Sequence, residues 1–252
     1  VTVPRRDVCR DVANLVVTAV FTRARSPMAS LPTRALLLAL ATATAAYVGD
    51  GVSSRTGAFV GSRLRRCVVS LAAAAARPKA VVFDLDGCLW YPDMYMLWGG
   101  GAPFKVASDG ALIDTIGQRV TMIGAVPQIL LELKTHTEWA SAVVCVASCT
   151  DEPNWAQECM KKFMVDGGEY SIKDVVQIEE IHKGNKRGHL KAIAERTGIQ
   201  LEEMLFLDNE WGNCQDVSSI GVTVAYTPDG VTREAWDKAL AGYPAPGEVI
   251  YG

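Results

Sequence analysis

Three short apolar runs in this chain end in the same way, on residues able to do chemistry. AVVF (80–83) runs into Asp84 and Asp86, SAVVCVAS (141–148) closes on Ser148, and EMLFLDN (203–209) closes on Asp208 and Asn209. Short runs rich in β-branched residues are the usual form of strands buried on both faces. Between them lie stretches with helical signals. VPQILLELKTH has Pro127 at its start and Ile129, Leu130 and Leu133 on one face; DEPNWAQECMKKFM and VTREAWDKAL also read as helices; KRGHLKAIAERTG closes on Gly198. DVVQIEEI holds a further strand and GVTVAYT a final one. Strands alternating with helices predict an α/β, Rossmann-like three-layer sandwich with a central parallel sheet. Sites in such sheets lie at the carboxyl ends of the strands, where these polar residues collect.

Charge divides the chain. Residues 1–79 carry 12 Lys and Arg against 3 acidic residues, whereas 80–252 carry 13 against 25. The acidic part is long enough for a full core, and its charge argues against a nucleic-acid partner. Seven cysteines, odd in number and without a CxxC pair, argue against a disulfide scaffold or a zinc site.

Residues 1–78 are rich in Arg, Ala, Ser and Thr, and are set aside from the fold as a targeting extension, leaving 79–252 as the folded domain. ALLLALATATAAYV (35–48) suits the apolar core of a signal peptide and is short for a membrane span. Phe59 then stands among small residues before a basic stretch. The arrangement resembles the bipartite transit peptides of plastids bounded by extra membranes, and Met28 is the expected translation start. The expectation is a plastid location, or a cytoplasmic one if the extension carries no address; no membrane is expected for the mature domain.

Two carboxylates at a strand end repel one another unless they share a proton or a cation. Oxygen ligands without His or Cys point to Mg2+ rather than zinc, with Asp208 or Asn209 as a third donor and a phosphate oxygen completing the shell. Such a carboxylate can attack phosphorus, and a second one two residues on can protonate the leaving oxygen.

These residues carry a resemblance. FDLDGCLW, VAS, a Lys ahead of a helix, and FLDN look like the four motifs of the haloacid dehalogenase (HAD) superfamily. DLDGCLWYP, SDGALIDTIGQ, VASCT, EIHKGNKRGHL, MLFLDNE and GVT follow in order the pattern of its magnesium-dependent, cap-less acid phosphatase group. The resemblance implies Asp84 as nucleophile and Asp86 as acid/base and main-chain metal ligand. It implies Ser148, Cys149 and Lys186 at the substrate phosphate, and Asn209, with Asp208 beside it, at the metal. The implied substrate is a small phosphomonoester, a sugar phosphate or a phosphotyrosine. The 37 residues from Trp90 to Val126 are enough for a β-hairpin flap turning at Asp109-Gly110 and too few for a large cap.

Three residues depart from the family pattern. Cys88 stands where Thr is usual, Cys149 where Arg is common, and Asn209 where Asp is usual. They keep two alternatives open: a phosphotransferase of the same fold, and a non-catalytic phosphate-binding module. Cys88 and Cys149 are expected near each other, either as an oxidisable pair or as two small packed residues.

Overall fold

The computed structural model describes residues 77–165 and 167–252, within the C-terminal of two units (Cys67–Gly252) into which contacts divide the chain. The expected targeting signals lie outside the described residues. Among those described, no helix is long and apolar enough to cross a membrane.

In chain order, β1 (Ala80–Phe83) is followed by four strands of a small sheet: β2 (Trp90–Tyr91), β3 (Lys105–Val106), β4 (Leu112–Ile113) and β5 (Arg119–Met122). After α1 (Val126–Thr135) come β6 (Val143–Ser148), α2 (Pro153–Lys162), α3 (Ile172–Val175), β7 (Ile178–Ile181) and α4 (Lys186–Thr197). The chain continues through β8 (Met204–Asp208), α5 (Trp211–Ser218), β9 (Thr223–Tyr226), α6 (Arg233–Gly242) and β10 (Val249–Tyr251). The main sheet is parallel throughout, in the order β10-β9-β8-β1-β6-β7.

Alternation along β1 explains the layers. Val81 and Phe83 belong to the core shared with Ile129, Leu130, Met160 and Trp236, from α1, α2 and α6. Ala80 and Val82 belong to the core shared with Leu190, Ile193 and Val217, from α4 and α5. Strand side chains point alternately to opposite faces, so a strand apolar at every position must be covered twice. Gly198 closes α4 at φ +72°, the left-handed conformation that favours glycine.

Two sequence expectations need correction. VIY (249–251) adds a strand beyond the expected final one, pairing parallel with β9. Three residues after a Pro- and Gly-containing stretch are too few to show a period. The flap also exceeds a hairpin: β2, β5, β4 and β3 form a four-stranded antiparallel sheet. Its second turn is built on Asp114, whose carboxylate is buried and accepts from the backbone N–H of Gln118 (2.7 Å), Ile116 (3.0 Å) and Gly101 (3.1 Å). Three charge-assisted bonds offset the burial of that charge and bring β4 and β5 into register. The flap remains small, as the segment's length requires.

Candidate active site

Parallel pairing places the ends of β8, β1 and β6 side by side, with Phe83 opposite both Leu207 and Val146. Past β1 the chain folds back tightly. Leu89 N–H donates to Leu85 O (2.8 Å) and Gly87 N–H to Trp90 O (2.8 Å). Gly87 has φ +69°, and a Cβ there would stand 2.4 Å from Asn209 Nδ2. Both the backbone and the close approach therefore require glycine. Gly87→Ala should cost on the order of 2 kcal/mol of stability and displace Asn209. Thermal unfolding of the variant checks the first effect, and its magnesium titration the second.

This loop and the neighbouring strand ends form an open cleft of about 260 Å³ lined by Asp84, Asp86, Ser148, Cys149 and Lys186. Lys186 is 2% exposed. Its ammonium donates to Asp84 Oδ1, to Ala147 O (2.6 Å), and lies 3.3 Å from Asp208 Oδ2. Burial alone disfavours its charge, but Asp84 and Asp208 outweigh that and hold the ammonium well above the usual lysine range. Lys186 opens α4, whose first turn is fixed by Asn185 Oδ1 accepting from Gly188 N–H (2.9 Å).

Asp86 is held from one side by the Trp90 indole N–H (2.7 Å) and also receives a bond from the Met94 backbone. Burial, then the neighbouring Asp84 charge, pushes its carboxyl up to about 7 despite those bonds. Ser148, at the end of β6, is buried, and its Oγ accepts from Thr150 N–H (3.3 Å).

Asp208 and Asn209 sit differently from the others. Asp208 is fully enclosed, and its oxygens accept from Glu210 N–H (2.7 Å) and Asn213 Nδ2 (3.1 and 3.3 Å) besides facing Lys186. Burial, then Asp84, pushes its carboxyl up to about 7. Neither Asp208 nor Asn209 lines the cleft; Glu210 just beyond them and Asn213 on the first turn of α5 do, with Asp93, Tyr95, Thr150 and Asp151. Asn213 lies beyond FLDN and reads in the sequence only as one more polar residue on the first turn of the next helix.

Among the described residues, no three His, Cys, Asp or Glu side chains gather in metal-ligand fashion. A magnesium site does not require them, since main-chain and amide oxygens are ordinary Mg2+ donors. Asn209 Oδ1 is buried without a hydrogen-bond partner. An orphaned acceptor costs roughly 1–3 kcal/mol unless something satisfies it. Two buried carboxylates, on Asp84 and Asp208, also share a single ammonium, and the charge of Asp84 reaches the half-buried Asp86 beside it. The donor set and the charge imbalance both fit a hard divalent cation.

The two cysteines follow the second of their two readings, small packed residues, rather than an oxidisable pair. Cys88 Sγ packs against Leu207 O (3.5 Å) and Thr227 Oγ1 (3.9 Å), on the β8–β9 side of β1. Cys149 Sγ packs against Gly184 O (3.6 Å) and His189 Nδ1 (3.9 Å), on the β7–α4 side. Both are free thiols with separate surroundings. Burial raises both pKa values and outweighs the effect of Lys186, so the cation does not activate them.

The sequence pattern of the acid phosphatase family matches residues 76–245. The chain belongs to this family. It is 32% identical over 168 residues to human magnesium-dependent phosphatase 1, covering 66% of this chain and 87% of that protein. It is 35% identical over 155 residues to a HAD-like hydrolase superfamily protein of Schizosaccharomyces pombe, covering 58% of this chain and 83% of the relative. A solved structure, the N-terminal part of a Bacteroides fragilis protein containing a phosphatase domain complexed with Mg, aligns with a TM-score of 0.48 at 16% identity. That alignment covers 71% of this chain and 44% of the other. By family and by these relatives the chain is a magnesium-dependent phosphatase of the HAD superfamily.

Proposed function

We propose that the chain hydrolyses small phosphomonoesters, with Mg2+ and through an aspartyl-phosphate, using Asp84 as nucleophile and Asp86 as acid and base. The observation that carries this reading is the Asp84 carboxylate at the cleft floor, fixed by Lys186, with Asp86 on the same loop facing the same space. The family relationship and the name of the human relative support both phosphatase chemistry and the metal.

Asp84 would attack phosphorus as Asp86 passes its proton to the departing alcohol oxygen. Asp86 would then take a proton from the water that attacks the acyl-phosphate, freeing phosphate and Asp84. Ser148 lies within the cleft to donate to the phosphoryl oxygens, and Lys186 offsets their charge. Asp84, the Asp86 carbonyl and Asn209 would hold Mg2+, which would supply Lewis-acid stabilisation of the phosphoryl charge. Asp208 holds Lys186 and Asn213 in place.

The intact set of Asp84, Asp86, Ser148 and Lys186 favours turnover over phosphate binding alone. The open cleft, with exposed Tyr95 in its wall, suits leaving groups of varied shape, sugar phosphates and phosphotyrosine among them. Hydrolysis of p-nitrophenyl phosphate with and without Mg2+ tests the reading. Release of p-nitrophenol that is absent, or indifferent to Mg2+, would defeat it; phosphate appearing on an added alcohol would favour phosphotransfer.

Asn209→Asp should tighten Mg2+ binding several-fold, since it puts a charged oxygen where the amide oxygen now lacks a partner. Calorimetric titration of Mg2+ into both proteins reads this directly, without turnover. An unchanged affinity would remove position 209 from the ligand set.

A further inference from the structure

Trp90 belongs to the buried core and is 0% exposed. Its ring is stacked against Phe163 with centroids 6.0 Å apart and planes at 26°. Its backbone is held twice, N–H to Leu85 O (3.3 Å) and O from Gly87 N–H (2.8 Å), and β2 ties it to Met122 of the flap. From this fixed position the indole N–H reaches one side chain, Asp86 Oδ1, at 2.7 Å. An indole has one donor and no acceptor, so this bond has a single sense. It removes one carboxylate oxygen from competition and restricts rotation of the other.

We propose that Trp90 is a positioning residue for the hydrolytic reaction: it sets the orientation in which Asp86 delivers its proton to the leaving oxygen. The inference rests on Asp86 being the general acid of the proposed function. General acids contribute about 10²–10⁴-fold, and only if geometry is right, because the proton must travel along a hydrogen bond to the departing atom. Two χ angles separate the Asp86 backbone from that proton; the Met94 backbone supplies one restraint on them, and the Trp90 indole N–H supplies the side-chain one. Trp90 does so from outside the cleft without touching substrate, since it is absent from the cleft lining. The same bond couples the flap to the acid: β2 begins at Trp90, so displacement of the small sheet moves the Asp86 carboxylate.

The measurement that separates positioning from packing is leaving-group dependence. Protonation matters most for a poor leaving group and little for a good one, while general damage to the site slows both. With the full chain and Mg2+, kcat/KM is measured for phenyl phosphate and dinitrophenyl phosphate in wild type, Asp86→Asn, Trp90→Phe and Trp90→3-benzothienylalanine. The last variant keeps the bicyclic shape and replaces N–H by sulfur, so it carries the test if Trp90→Phe unfolds. In both Trp90 variants the expected loss is about 100-fold for phenyl phosphate and under about 3-fold for dinitrophenyl phosphate. Equal losses on both substrates, or none, in the benzothienylalanine protein overturn the positioning role while leaving the phosphatase reading intact. If Asp86→Asn itself shows no preference for the better leaving group, the acid role fails and the role of Trp90 fails with it.

Discussion

Lys186→Met should unfold the domain far more readily than any other lysine substitution and leave no measurable turnover. The ammonium is buried and touches two carboxylates, Asp84 and Asp208, and the carbonyl of Ala147. Methionine fills the space and leaves those carboxylates facing each other in a dry site. Breaking a buried pair in this way costs about 3–5 kcal/mol, because the partner charge stays behind uncompensated. Lys183 provides the contrast. It also pairs with an aspartate, Asp151 at 2.9 Å, but both are well exposed. Lys183→Met should therefore shift stability by less than about 1 kcal/mol. Guanidinium unfolding of the two variants at pH 7 gives the comparison directly. A Lys186→Met protein within 1 kcal/mol of wild type would show that Asp84 and Asp208 do not depend on this cation.

Asp84→Asn should abolish hydrolysis, by on the order of 10⁴-fold or more, with the fold retained. An amide cannot form the acyl-phosphate, and Asp86, held by Trp90 and the Met94 backbone, is not free to replace it. The fold survives because Lys186 keeps Asp208 and Ala147 O as partners. Rapid acid quench after mixing with labelled substrate should trap phosphate on wild-type protein and none on the variant. Phosphate trapped on Asp84→Asn, or turnover near wild type, would place the covalent step elsewhere.

Much of this was legible because motif residues terminate strands. An apolar run gives a strand, the alternation with helices gives a parallel sheet, and the sheet brings Asp84, Ser148 and Lys186 together. What stayed hidden depends on side-chain partners with no period. Trp90 reads as one more aromatic after the aspartates, and only geometry shows its N–H on Asp86. Asn213 holds Asp208 from the first turn of α5, and Asp114 builds a turn by accepting three backbone N–H groups. The choice between the two readings of the cysteines was hidden for a related reason. Neighbouring strands place backbones together, but Cys88 and Cys149 leave β1 and β6 toward opposite flanks.

The place of β1 has a consequence for how the molecule comes into being. Ala80 pairs with Val143 on one side and with Met204 on the other. During synthesis the strand that carries the nucleophile emerges first, and its second neighbour emerges only after both other catalytic elements. Until Met204–Asp208 arrives, one edge of AVVF is bare, Lys186 lacks one of its two anions, and the loop at Gly87 has no Asn209 to pack against. A nascent chain stopped short of β8 therefore exposes an apolar edge suited to pairing with other chains, the usual route to aggregation. Catalytic competence arrives late and at once, with the strand that closes the middle of the sheet.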